Sequence, residues 1–122
     1  MSTFQHIRLE LAREPDHPRG NASTGYDLVA PLDADGRLDP AALKAEPDRS
    51  HVRRFVDDAT VATGRLRHTA DDRWVLDLDP GDADDVTGFR LGEETFVLGE
   101  YVSMLTANGT QHTYAVKRLQ PV

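Results

Sequence analysis

Between two runs of β-forming residues, 101–107 and 110–119, stands the dipeptide Asn108-Gly109. Asn-Gly accepts the two positive φ angles of a type I′ turn, the two-residue connection whose twist matches paired antiparallel strands. A two-residue loop sets Leu105 opposite His112, Ser103 opposite Tyr114 and Tyr101 opposite Val116. It sets Val102 opposite Ala115 and Met104 opposite Thr113. Both faces of this hairpin are then partly apolar, so both are expected to be covered for part of their length.

A second hairpin is expected from residues 64–69 and 73–79, joined by Ala70-Asp71-Asp72. A three-residue loop pairs His68 with Trp74 and Leu66 with Leu76 on one face. The same register pairs Arg65 with Asp77, and Arg67 with Val75, on the other. Putting the apolar pairs on a single face is what selects this register, since a slip of one residue turns every side chain over.

The same period of two runs through the N-terminal half. Ile7, Leu9 and Leu11 alternate with Arg8 and Glu10, and Tyr26, Leu28, Ala30 and Leu32 form a second set. Residues 51–56 and 59–63 read as further strands. Asp39-Pro40 is a helix start, with Asp as cap and Pro preorganised for the first position, and Pro47 ends that helix after about two turns. Six to eight short strands with one short helix near residues 40–46, and no β–α–β alternation, predict a mainly β fold: a small antiparallel β-barrel or strongly curved sheet. A chain of 122 residues suits one domain spanning 1–122.

Residues 96–103, Phe-Val-Leu-Gly-Glu-Tyr-Val-Ser, followed by His112-Thr-Tyr-Ala115, resemble the strand pair of flavin-binding reductase barrels. In those proteins a Gly-Gln-Tyr/Phe segment precedes an Arg-x-Tyr-Ser segment that holds the flavin. Here Glu100 stands for the Gln, and His112 stands for the Arg that would contact phosphate. The resemblance therefore implies barrel topology, and no cofactor is expected.

Composition removes several chemistries. The chain has no cysteine, which excludes disulfides, zinc–thiolate sites and thiol nucleophiles. Its formal charge of −7 disfavours nucleic acid, whose affinity comes from Lys and Arg on phosphates. The five histidines show no local metal-ligand spacing, and residues 77–85 and 33–36 miss the ligand positions of a calcium loop, so no metal is expected. No apolar stretch is long enough for a membrane span and no signal peptide is visible. Arg in place of Lys and Asp in place of Glu is the usage of a GC-rich bacterial genome, and a soluble protein of the bacterial cytoplasm is the expected setting.

Two sets of residues are candidates for function. The long connection over 14–25 gathers Asp16, His17 and Arg19, which offers a carboxylate-oriented imidazole and an anion holder for a small hydrolase or lyase. The segment from Arg49 to Arg67 has a net charge of +3, against −8 from Ala70 to Glu100. Its Arg53, Arg54, Arg65 and Arg67 could hold an anion or RNA, or be neutralised by acids of the same molecule. No nucleophile elbow, Walker loop or dinucleotide fingerprint is present. The expectation is a non-catalytic β-barrel binding or interaction module. Its partner is an unknown protein or small ligand, met by the 14–25 loop and adjoining strand ends. The sequence leaves open whether the chain is an enzyme and whether it forms a homodimer.

Overall fold

The computed structural model describes residues 3–12, 18–69, 74–79, 86–88, 95–106 and 111–122. Eight strands follow in chain order: β1 (Thr3–Leu11), β2 (Asn21–Leu32), β3 (His51–Val56), β4 (Ala59–His68), β5 (Trp74–Asp79), β6 (Val86–Gly88), β7 (Tyr101–Thr106) and β8 (Gln111–Pro121). Each pairs antiparallel with the next, and β8 pairs back onto β1, so the sheet closes into an up-and-down barrel. Pairing β8 onto β1 removes the two outer edges that an open sheet of the same strands would present.

The alternation in the sequence becomes inside and outside. Ile7, Leu9, Leu28, Leu76, Val102 and Met104 are fully buried and belong to one core cluster, with Tyr26 and Tyr114 meeting edge to face at 5.3 Å between ring centres. An eight-stranded barrel is just wide enough for side chains to fill it. Each large apolar side chain so buried contributes roughly 1.5–3 kcal/mol. Two glycines allow the wall to bend sharply. A Cβ at Gly25 would overlap the Leu9 carbonyl oxygen, and one at Gly64 would overlap that of Asp77.

The helix α1 (Pro40–Ala45) sits where Asp39-Pro40 predicts it. Asp39 Oδ1 accepts from the backbone N–H of Ala41 at 3.0 Å and of Ala42 at 3.2 Å, and Pro40 takes the first helical position. The helix sends Leu43 into the core beside Leu38, at the barrel end where β2 finishes and β3 begins. A 3-10 turn at Pro47–Arg49 follows and leads to Ser50, a fully buried hydroxyl that donates to the Val29 carbonyl at 2.8 Å.

The β4–β5 register is the expected one, with Leu66 opposite Leu76, Arg65 opposite Asp77 and His68 opposite Trp74. Residues 59–63 and 64–69, read as separate pieces, form one continuous strand that ends at His68, because Gly64 bends the chain without breaking its pairing. The C-terminal hairpin forms one residue out of the expected register: Val102 faces Tyr114 and Met104 faces His112. The shift has a packing cause. It gathers Val102, Met104 and Tyr114 on the inner face together with Val116, whereas the two-residue-loop register divides them between inside and outside. Residues 107–110, with the Asn-Gly pair, lie outside the described residues.

Candidate functional site

Closing β1 to β4 into a wall sets two outward rows of side chains next to each other. In one row Arg8 lies opposite Asp27, Asp27 opposite Arg53 and Arg53 opposite Thr63. In the next, His6 lies opposite Val29 and Val29 opposite His51, with Arg65 two residues beyond Thr63 on β4. These rows line a hollow of about 640 Å³. Two imidazoles and two guanidiniums, His6, His51, Arg53 and Arg65, line it together with one carboxylate, Asp27.

Asp27 organises the cluster. Its side chain is only 14% exposed. Arg53 donates Nη2 and Nε to Asp27 Oδ2 at 2.6 and 3.1 Å, and Nη1 to the Thr60 hydroxyl at 2.8 Å. Arg8 Nη1 lies 3.7 Å from the same carboxylate oxygen, and His6 Nε2 lies 3.4 Å from Oδ1. Arg8 is held in turn by Glu10, through Nε at 2.8 Å, and by the Ala22 carbonyl at 3.1 Å. Beneath these cations lies Phe55, outward-facing yet fully buried, with the Arg8 and Arg53 guanidinium carbons 4.3 and 5.2 Å from its ring centre.

The distances rank the possible chemistries. Arg53 has the closest hold on Asp27, at 2.6 Å, while His6 at 3.4 Å and Arg8 at 3.7 Å stand farther off. A carboxylate neutralised in this way anchors cations more than it polarises an imidazole for general-base work. Among the described residues the ion-pair partner of Arg65 is Asp48, at 2.8 Å, and the Asp48 side chain is 90% exposed. Such a surface pair is worth about 0–1 kcal/mol, so an incoming anion can displace it at small cost.

The sequence candidates divide. Arg53 and Arg65 line the hollow. Arg67 does not; it pairs with Asp77 at 3.0 Å. The cross-strand pair expected between Arg65 and Asp77 is therefore made diagonally by Arg67, while Arg65 reaches toward the 3-10 turn. Arg54 leaves the group altogether, because it stands opposite Tyr26 and Ala62, both members of the inner core. The four arginines are consequently not one stripe. Asp16 and His17 lie outside the described residues. Arg19 is described, and it lines a separate groove of about 680 Å³ across β1, β2, β7 and β8. The connection read as 14–25 is shorter than expected, since β2 begins at Asn21.

His6, Asp27 and His51 were not candidates in the sequence. Each sits singly on a different strand, and only the outward phase of its strand marks it. Among the described residues, no group of three or more His, Asp or Glu side chains is placed to hold a metal ion. No helix of the described residues is long and apolar enough to cross a membrane. In comparisons with known proteins, no family model, curated protein or solved structure matches the chain.

Proposed function

We propose that this protein is a non-catalytic β-barrel binding module of the bacterial cytoplasm whose outer wall takes a small ligand through a phosphate or carboxylate group. The observation that supports this reading is the convergence of His6, His51, Arg53 and Arg65 on a hollow of about 640 Å³ that holds a single, already paired carboxylate. Arginine offers a planar fork of donors matched to such anions, and Thr63 in the lining adds a hydroxyl. The barrel interior is filled by Leu, Val, Met and aromatic side chains, which favours an outer-wall ligand over an enclosed one. The bacterial setting rests on the Arg- and Asp-rich composition.

The test is a titration with inorganic phosphate and, separately, succinate, followed by amide chemical shifts. Binding at the hollow moves the signals of residues 6, 27, 51, 53 and 65. Arg65→Gln weakens it roughly tenfold, the loss of one charge-assisted contact. If neither anion moves those signals, the reading is wrong. Turnover of a substrate that is lost in His6→Ala would favour a hydrolase or lyase in its place.

A further inference from the structure

The groove that Arg19 lines shares β1 and β2 with the hollow but extends over β7 and β8 in place of β3 and β4, and its chemistry differs. Its lining includes the small residues Gly20, Ala22 and Ala115, which present little side chain to a flat ligand. Tyr101 stands at its side with 62% of its surface exposed, although it is a large aromatic on a paired strand. Arg19 and Lys117 are the two cations of the lining, and neither makes an ion pair among the described residues. The one carboxylate there, Glu10, is turned to Arg8 at 2.8 Å. The groove thus combines an exposed aromatic side chain, small residues in its lining and two cations whose charge no described acid takes up.

From this combination we infer that the groove is a second binding site, for a planar aromatic ligand carrying an anionic group. The ring stacks on Tyr101 beside the small residues of the lining, and the anion is held by Arg19 and Lys117. Each part of the ligand answers one observation. Aromatic stacking accounts for an exposed tyrosine on a paired strand, and the anion accounts for two cations that no described acid pairs. Inorganic phosphate lacks the ring and an uncharged nucleoside lacks the anion, so each alone is expected to bind at least tenfold more weakly than a ligand with both.

Three probes distinguish the parts: adenosine monophosphate, adenosine and inorganic phosphate, each titrated into the full chain by amide chemical shift and by calorimetry. Adenosine monophosphate should move the signals of residues 19–22, 101, 113 and 117, and should bind at least tenfold more tightly there than either fragment. Tyr101→Ala should remove that advantage while Tyr101→Phe keeps it, and Arg19→Gln with Lys117→Gln should reduce binding to the level of adenosine. The proposal fails if adenosine monophosphate leaves these signals unmoved. It fails equally if phosphate alone binds the groove as well as the nucleotide does, or if Tyr101→Ala binds as the parent protein does. Signals of residues 6, 27, 51, 53 and 65 report on the hollow separately, so failure of one site is distinguishable from failure of the other.

Discussion

Phe55 stands directly opposite Gly25 across the β2–β3 ladder, and it is fully buried although it faces outward. The glycine presents no side chain there, and the neighbouring phenylalanine lies under the guanidiniums of Arg8 and Arg53. An aromatic beside a strand glycine is a known way to restore packing that the glycine forgoes. Phe4 is covered in the same way, with Arg49 4.3 Å from its ring centre.

Gly25→Ala is expected to be severely destabilising, even though Ala is the smallest possible addition. The new methyl would overlap the Leu9 carbonyl oxygen, which belongs to the paired strand and cannot swing aside as a side chain can. The expected cost is about 3 kcal/mol, the upper part of the range for overpacking. Thermal unfolding should show a midpoint lower by roughly 10 °C. A midpoint within a degree or two of the parent would mean that the wall does not bend at this glycine.

Asp27→Asn separates stability from binding. The substitution keeps size but removes the charge on which Arg53, Arg8 and His6 converge. Stability should fall by about 1 kcal/mol, because the pairs are partly solvated. Phosphate affinity at the hollow should rise several-fold, since the internal competitor for the cations is gone. Denaturant unfolding and a phosphate titration of the same sample measure the two effects, and a fall in both would contradict the assigned role of Asp27.

Asp39→Ala should cost about 1 kcal/mol, because two backbone N–H groups of the first turn of α1 lose their acceptor. Asp39→Asn should cost much less, as its amide oxygen can still cap. Urea unfolding of the two variants against the parent checks the difference. Equal losses would show that charge, not capping, is what the helix needs.

Asp58→Gly should stabilise the protein, by about 0.5 kcal/mol, although it deletes a hydrogen bond. Asp57 and Asp58 both have positive φ, 53° and 63°, in the two-residue connection between β3 and β4. Gly adopts this geometry without the Cβ penalty. The loss is the contact between the Ser23 hydroxyl and Asp58 Oδ2, which is exposed and 3.1 Å long. Counting contacts gives the opposite sign, so urea unfolding discriminates between the two accounts.

Much of this barrel is legible before any coordinates. Asp39-Pro40 marks the start of its helix to the residue, and Leu66, Trp74 and Leu76 select the β4–β5 register. The C-terminal hairpin is legible as a hairpin but not in register. Asn-Gly suggests a two-residue loop, and the inner set of Val102, Met104, Tyr114 and Val116 overrules that local preference. The arginines are legible as a charge run but not as a site. Strand phase turns Arg54 inward and Arg53 outward, and Asp27 selects Arg53 from a distance of 26 positions in the chain.

The sequence by itself determined most of the strands, though not residues 21–25 or β6, together with the alternation of apolar residues along them and the start of the helix. Those properties depend on side-chain alternation and on backbone preferences of residues close together in the chain. The tertiary structure alone decided that the ring closes through β1 and β8, and that His6, Asp27, His51, Arg53 and Arg65 share a hollow while Arg19 and Lys117 line a groove elsewhere. Such neighbourhoods arise from which strands pair and in what register. The deciding energy there is burial of the common core, and the outward side chains come together as a consequence of it.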